Sequence, residues 1–333
     1  MAKRNVEEQI ASLSRLRESP VTEETLAALR KGLGDRVNLV TAKAAQIAGE
    51  LGLKSMIPEL VAALDPLFQN AGAGDPQCWA KNAIVKSLTD LDHNESAPFL
   101  QGCRYVQMEP VWGGRVDTAV KLRSLCTLAL VQCADLPRAG KLRHLVAAVI
   151  DVEEPVRIDA LRALEQMEGE EAALLLRLKA GVGDKSATVV GQALESLLRM
   201  EGSRALDFAR GFLKEREAES REPGATPVEI VEEAALALGA SRLPASVEVL
   251  KEAWSNDPKI VFLQAISISR QESGLDFLLE LVKSGRERDA MSALEVLALQ
   301  RDSAEVLSHT RAAVEARDSG PVRERFRTKF GPG

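Results

Sequence analysis

Small and aliphatic residues recur at three- and four-residue spacing along the chain, in segments that polar turns separate. In the clearest segment, residues 34–52, Ala44, Ala45 and Ala48 fall on one face of a helix. Similar segments begin at residues 154, 184 and 226, and weaker copies begin near Asp75, Arg115, Asp257 and Arg286. Successive starts lie about 30 to 42 residues apart, within the range of stacked helical hairpins. The pattern therefore predicts an all-α chain in which a pair of helices is repeated.

A capping residue followed by proline marks three of the predicted helix starts independently. The three pairs are Asp75-Pro76, Thr226-Pro227 and Asp257-Pro258. A capping side chain satisfies a free N–H at the start of a helix, and proline is tolerated at the first helical position because its missing N–H would be unpaired there. We therefore expect helices to begin at these three places.

The composition agrees with a helical array. The 333 residues are 45% hydrophobic and 28% charged, which is a normal balance for a globular protein. Only 4% are aromatic, so leucine and alanine supply most of the apolar surface, as suits thin layers of closely packed helices. The formal net charge of −6 argues against a protein whose main task is to neutralise phosphates.

The four cysteines and the start of the chain bear on where the protein works. Cys78, Cys103, Cys126 and Cys133 lack the paired spacing of a disulfide framework or a zinc site, so we interpret them as reduced, mostly buried thiols. The first residues, MAKRNVEE, turn acidic where a signal peptide has its apolar run, and no stretch approaches the roughly 18 apolar residues of a membrane span. The predicted location is the cytoplasm, without a membrane as partner.

Residues 155–164, PVRIDALRAL, resemble the Val-Arg-x-x-Ala core of the HEAT repeat family, particularly its short bacterial form. Other copies depart from it, and Glu229 stands where the best match has Arg157. The resemblance runs from about residue 20 to about residue 315 and implies an α-α superhelix, a HEAT-like solenoid of roughly eight helical hairpins. It implies one repeat domain over residues 1–333, with the second helices lining the concave side. Because such solenoids carry many unrelated activities, the resemblance leaves the function open.

Three segments depart from the repeat. Residues 102–117 form an irregular insertion, and residues 214–226 are a charged stretch with Pro and Gly that we expect to be a solvated helix end and loop. Residues 316–333 carry Phe326 and Phe330 among basic residues, namely Arg323, Arg325, Arg327 and Lys329. This last segment has two interpretations, a helix that caps the final repeat and a basic tail that binds nucleic acid or an acidic partner. The cap is favoured because Glu324 dilutes the charge.

The first candidate site lies in and just beyond the insertion at 102–117. Tyr105 is the only tyrosine, Trp112 is one of three tryptophans, and Gly113-Gly114 permits a tight turn after Trp112. Arginines surround this aromatic pair at positions Arg104, Arg115 and Arg123. One interpretation is an aromatic anchor for a protein partner, since Trp, Tyr and Arg dominate interaction hot spots. The other is that Trp112 folds back and fills a gap between two irregular repeats.

The second candidate site is a basic cluster on a predicted second helix. Arg138, Lys141, Arg143 and His144 crowd the stretch at 136–145. On a groove-facing helix they would attract an acidic peptide or a phosphate. The alternative interpretation is the ordinary solvated face of a helix.

No catalytic or metal site is nominated by the sequence. His93, His144 and His309 lie far apart and none is followed by Glu, unlike the His-Glu pairs of the iron-dependent hydroxylases built on HEAT repeats. Cys126 and Cys133 would lie roughly 10 Å apart on one helix, too far to ligate one ion by themselves. The stretch at 181–184 lacks the Lys-Ser/Thr of a phosphate loop. We predict no catalytic residues, no metal and no cofactor.

Three functional hypotheses follow from the resemblance and the candidate sites. The first is a non-enzymatic scaffold that binds a protein partner. Its predicted contacts are Arg104, Tyr105, Trp112, Arg115, Arg123, Arg138, Lys141 and Arg143. The second is a reader of damaged DNA similar to the HEAT-like DNA glycosylases, which the acidic charge and the dispersed Trp79, Trp112 and Trp254 make less favourable. The third is a protein similar to the HEAT-like lyases that attach bilin pigments.

Overall fold

A computed structural model describes residues 2–69, 74–214 and 224–331. The chain forms two compact units, residues 1–167 and 168–333. That residues 1–333 form a single repeat domain stays a prediction. Most of the predicted charged loop at 214–226 lies outside the described residues.

Unit 1 consists of helical hairpins and one β-hairpin. Its helices are α1 Ala2–Arg15, α2 Glu23–Leu33, α3 Asn38–Glu50, α4 Ile57–Gln69, α5 Trp79–Asp90, α6 Ala97–Gly102, α7 Val120–Ala129, α8 Arg138–Val149 and α9 Glu154–Met167. Its strands are β1 Met108–Val111 and β2 Gly114–Asp117. The first helices of the hairpins stack in the order α3, α5, α7 and α9, and each packs on the next. The predicted all-α class is confirmed, with the β-hairpin as an addition that the sequence did not predict.

Unit 2 repeats the same arrangement without strands in its described residues. Its helices are α10 Gly169–Val182, α11 Ala187–Glu201, α12 Leu206–Arg210, α13 Pro227–Ala240, α14 Pro244–Asn256, α15 Ile260–Ser269, α16 Glu272–Ser284, α17 Glu287–Leu297, α18 Ala304–Glu315 and α19 Gly320–Phe330. The first helices α11, α13, α15, α17 and α19 pack in this order. The last of them buries Val322 and Phe326, so the C-terminal segment is a packed helix. The capping interpretation of this segment stays a prediction.

The repeat is visible in the turns before the first helices. The carboxylates of Asp35, Asp117, Asp151 and Asp184 each accept a hydrogen bond from the backbone N–H two residues further on, at 2.8 to 2.9 Å. Such a bond fixes a tight turn without help from distant parts of the chain. Because the same bond recurs at the same place before α3, α7, α9 and α11, these four hairpins are equivalent structural units.

The predicted helix starts are correct to different degrees. Thr226 caps α13 and shares a reciprocal capping box with Glu229. The helix predicted at Asp75 begins at Trp79, after a short 3-10 turn, and the one predicted at Asp257 begins at Ile260. Proline after a capping residue therefore locates a helix start to within a few residues.

Gly239 lets α13 and α15 approach each other closely. A Cβ built on it would collide with the backbone carbonyl of Ala265. We expect Gly239→Ala to lower the free energy of unfolding by about 1–3 kcal/mol, because a backbone cannot move aside as a flexible side chain can. Gly181 on α10 is the matched control, since nothing lies within 4 Å of its Cβ position. Gly181→Ala should stabilise by about 0.5–1 kcal/mol, since alanine is the better helix former. Urea unfolding curves measure both, and an unchanged Gly239→Ala protein would contradict the close packing.

Candidate functional site

The insertion predicted at 102–117 forms a β-hairpin that joins α6 to α7. Strands β1 and β2 are antiparallel, with Met108 opposite Asp117 and Val111 opposite Gly114. Trp112 and Gly113 form the two-residue turn between them. Gly113 has φ of +87°, a conformation that glycine adopts without strain. Trp112 and Gly113 therefore make a tight turn at the tip of a short hairpin, and Gly114 begins β2.

Trp112 stands in solvent at the tip of this hairpin. Its relative exposure is 103%, so it touches no other part of the described chain. The interpretation that Trp112 fills a gap between repeats is therefore wrong. Exposed apolar side chains accompany it along the hairpin and its approach, namely Val106, Met108, Val111 and Val116. Large apolar groups grouped in this way are unusual on a protein surface that binds nothing.

A buried polar cluster anchors the base of the hairpin. The Gln107 side chain donates to the Asp75 backbone carbonyl at 2.8 Å, and its amide oxygen accepts from Lys81 Nζ at 3.0 Å. The Gln107 backbone N–H donates to Asp117 Oδ1 at 3.0 Å. Glu109, on β1, accepts from the Gln77 backbone N–H at 2.7 Å. These bonds tie both strands to the turn that precedes α5.

Lys81 and Asp75 form a fully buried ion pair beneath the hairpin. Lys81 Nζ lies 3.2 Å from Asp75 Oδ2, and both side chains have zero exposure. The other Asp75 oxygen accepts from Asn38 Nδ2 at 2.8 Å and from the Ala80 backbone N–H at 2.9 Å. Lys81 also lies 5.1 Å from the centre of the Tyr105 ring, a cation–π distance. Charges taken out of water in this way are tolerated only because each has several partners.

Arg123 belongs to the same buried support and does not reach the surface. It is 2% exposed, and its guanidinium lies 2.6 Å from Asp117 Oδ2 and 3.0 Å from Asp151 Oδ2. It also donates to the Tyr105 backbone carbonyl at 2.9 Å. The prediction of Arg123 as a direct partner contact is corrected accordingly. Its role in the described structure is to hold the end of β2 against the turn before α9.

Two carboxylates of this cluster, Asp117 and Glu109, are held in their charged form. Burial by itself raises the pKa of Asp117, but hydrogen bonds from the backbone of Ala119 and Gln107 and from Arg123 outweigh it, so the pKa is lowered. The pKa of Glu109 is lowered in the same way, with burial opposed by hydrogen bonds from Gln107 and Gln77. Both groups stay ionised at neutral pH and keep the hairpin attached.

The lowered pKa of Glu109 should make the free energy of unfolding depend on pH. A carboxylate whose pKa is lower in the folded than in the unfolded state stabilises the fold above its unfolded pKa, and this stabilisation is lost as the pH falls through the lowered value. We therefore expect the stability advantage of the wild type over Glu109→Gln to be constant from pH 7 to pH 5 and to shrink below about pH 4. Urea unfolding of both proteins at each pH measures it. An advantage that grows towards acid pH would contradict the charged state of Glu109.

The structure places Tyr105, Arg104 and Arg115 around the hairpin in different roles. Tyr105 is half-buried, packs edge-on against Phe68 and donates its hydroxyl to Gln107 Oε1 at 3.0 Å. Burial raises its pKa to about 12. Arg115 is exposed on β2 and donates to the Met108 carbonyl at 2.7 Å, whereas Arg104 is exposed beside the start of the hairpin. Of the predicted contacts in this region, Trp112, Arg104 and Arg115 remain at the surface.

The predicted basic cluster lies on α8. The pKa of His144 is lowered, first by burial and then by the positive charge of Arg104, which therefore lies near it. Lys141 donates to the Val131 carbonyl at 2.7 Å and Arg138 to the Met167 carbonyl at 2.7 Å, so these two side chains support local structure. Arg143 is exposed. Arg104 and Arg143 are thus both exposed residues of unit 1.

A groove of about 750 Å³ lies over the first helices of unit 1. Trp79, 56% exposed, stands in it with Lys43, Lys86 and Lys121. Gln77 and Thr118, which adjoin the hairpin, also line it, so groove and hairpin form one surface. In unit 2 a groove of about 780 Å³ again involves first helices. The expectation that second helices line the concave side stays a prediction.

Sequence reasoning missed the residues that support the hairpin, although a signal for them exists. Asp75 and Lys81 are six residues apart, as are Asp117 and Arg123. A further pair at this spacing is Asp151 and Arg157, in which Arg157 donates to the Asp151 carbonyl at 2.8 Å. An aspartate in the turn and a basic residue six positions later are thus bonded in all three cases, through the carboxylate in the first two and through the backbone carbonyl in the third. This spacing identifies Arg123 and Arg157 as structural.

The thiols of the described chain are mostly withdrawn from solvent. Cys78, Cys126 and Cys133 are buried, as predicted, and Cys103 is half-buried. Burial raises the pKa of all four thiols, to about 11 for Cys78 and Cys133. In the described residues no group of His, Cys, Asp and Glu side chains could hold a metal ion. Within the same residues, no helix combines the length and the apolar character of a membrane span.

Comparisons with known proteins do not assign a family. No protein-family model matches the chain, and no curated protein matches it. Among solved structures, the chain is similar to the crystal structure of an engineered protein from a structural genomics consortium, at 14% sequence identity. The match covers 97% of this chain and 94% of that one with a TM-score of 0.36. A similarity of this size assigns neither a family nor a function.

Proposed function

We propose that the chain is a HEAT-type repeat protein that acts as a non-enzymatic scaffold and binds a protein partner through its β-hairpin. The repeated helical hairpins and the PVRIDALRAL core support the HEAT assignment. The observation that carries the binding proposal is Trp112, fully exposed at the tip of a hairpin whose base is held by buried hydrogen bonds and ion pairs.

An exposed tryptophan gains nothing for the stability of the free protein, whereas its burial at an interface contributes strongly to affinity. The anchored base holds Trp112 on a short element, so little conformational entropy is lost when a partner covers it. Arg104 and Arg143 on the same unit add exposed positive charge that favours an acidic partner surface.

Affinity capture with the purified chain, followed by titration calorimetry with the captured protein, tests this proposal. We expect Trp112→Ala to lower the affinity for the partner by about 30-fold, equivalent to about 2 kcal/mol. This is the usual effect of losing a hot-spot residue. The variant should fold normally, because Trp112 touches nothing in the described chain.

Leu299→Ala is the matched control, because Leu299 is 74% exposed and lies in the other unit. It should leave the affinity unchanged. A partner that binds Trp112→Ala and Leu299→Ala equally well would remove the hairpin from the binding site.

Nucleic-acid binding is a second candidate, which the groove of unit 1 favours. An exposed tryptophan beside lysines from three successive first helices could stack a base and neutralise phosphates. Two lining carboxylates oppose this charge, since Asp90 pairs with Lys86 at 2.7 Å and Glu50 pairs with Arg17. Fluorescence anisotropy with labelled single- and double-stranded DNA at rising salt distinguishes the candidates. Steeply salt-dependent binding that Lys43→Glu weakens would favour the nucleic acid, whereas the scaffold proposal predicts no binding at physiological salt.

A further inference from the structure

The two outer edges of the hairpin are chemically different. The Thr118 backbone N–H donates to the Gln107 carbonyl at 2.9 Å, so these opposed residues form a hydrogen-bonded pair. Such pairs alternate along an antiparallel ladder. Glu109 with Val116 and Val111 with Gly114 are therefore also bonded within the hairpin. It follows that the backbone groups of Met108 and Pro110 point outward from β1, and those of Arg115 and Asp117 point outward from β2.

The outer edge of β1 is closed to another strand. Pro110 has no N–H to donate, and the Met108 carbonyl already accepts a hydrogen bond from the Arg115 guanidinium at 2.7 Å. Proline and arginine at an edge are devices by which proteins prevent strand pairing. This edge therefore offers only part of the hydrogen-bonding pattern that an added strand requires.

The outer edge of β2 is open. Within the described residues, no strand pairs with it and no side chain bonds to the outward backbone groups of Arg115. Its outward residues are spaced so that β2 can pair with another β2 running in the opposite direction. In the register centred on Val116, the two valines lie opposite each other, and each Arg115 lies opposite the Asp117 of the second copy. The aliphatic pair of the two Val116 side chains favours this register, whereas the Asp117 carboxylate is already bound by Arg123 and adds no pair of charges.

We propose that two copies of this chain associate through β2, forming a four-stranded antiparallel sheet. Because only one edge of each hairpin is open, the association stops at two copies and does not extend into a fibre. The dimer carries two Trp112 side chains and thereby offers a partner two contacts at once. This inference goes beyond the proposed function, since the hairpin can bind a partner whether or not it pairs with itself.

Cysteine cross-linking tests the register directly. Directly opposed residues of a non-bonded pair have Cα atoms about 4.5 Å apart, a separation that a disulfide spans. Under mild oxidation, Val116→Cys should therefore form a covalent dimer, seen on a non-reducing gel, about tenfold faster than Val111→Cys. Val111 is the matched control because it is equally exposed but lies on β1. The native thiols contribute little background, because burial raises their pKa values.

A backbone variant shows whether the outward N–H of β2 is required. Arg115→Pro removes this donor without removing a backbone–backbone bond inside the hairpin. Arg115→Ala keeps the donor and, like Arg115→Pro, loses the side-chain bond to the Met108 carbonyl. Sedimentation velocity should show dimer for the wild type, dimer for Arg115→Ala and monomer for Arg115→Pro. Equal cross-linking of Val116→Cys and Val111→Cys, or a wild type that sediments as a monomer, would overturn the proposal. Capture of a partner that depends on Trp112 is measured separately, so either idea can fail alone.

Discussion

Replacing Lys81 with methionine should cost about 3–5 kcal/mol of the free energy of unfolding, because it leaves the charge of Asp75 buried without its ionic partner. Lys81 also loses its hydrogen bond to Gln107 and its position over the Tyr105 ring. Urea unfolding followed by circular dichroism measures the loss. We expect the hairpin to loosen as well, because Gln107 ties it to this pair.

Lys86→Met provides the control on the same helix, since Lys86 pairs with Asp90 at 2.7 Å but both side chains are exposed. An exposed pair of this kind contributes only about 0.3–0.5 kcal/mol. Adding Asp75→Asn to Lys81→Met should restore part of the stability, because it removes the orphaned charge. If Lys81→Met and Lys86→Met were equally mild, the buried pair would not support the fold as described.

Arg123→Met should have the second large effect, again about 3–5 kcal/mol, because it leaves Asp117 and Asp151 without their shared cation. Arg123→Lys should be intermediate, since a lysine keeps the charge but cannot reach both carboxylates and the Tyr105 carbonyl at once. Hydrogen exchange at the backbone N–H of Gln107, which donates to Asp117, should accelerate in Arg123→Met. Arg143→Met on the exposed face of α8 should change neither the stability nor the exchange rate. Unchanged exchange in Arg123→Met would mean that Arg123 does not hold the hairpin.

The repeat was predictable because its signals are local. Alanine spacing and aspartate turns act within a few residues, so they identify helical hairpins without knowledge of the tertiary structure. The β-hairpin was not predictable in the same way. Its strands have four residues each, one contains Pro110, and their stability comes from Gln107 and Glu109 reaching a turn about 30 residues earlier.

The candidate site was predicted in location but not in detail. Trp112 stands out in the sequence, yet the composition of the surrounding stretch does not distinguish an exposed anchor from a buried plug. Composition alone groups Arg123 with the surface arginines, because it does not show which side chains are buried. Its six-residue distance from Asp117, repeated at Asp75 and Lys81, is the feature that separates it from Arg104 and Arg115.

Fluorine NMR of the protein labelled with 5-fluorotryptophan shows whether Trp112 is exposed in the free protein and contacts the partner. The chain has three tryptophans, so three resonances are expected, and Trp112→Phe assigns one of them. We expect the Trp112 resonance of the free protein to show the full solvent isotope shift of an exposed ring. The same resonance should change its chemical shift when the captured partner is added. A Trp112 resonance without an isotope shift, or one that stays unchanged while Trp79 responds to the partner, would contradict this expectation.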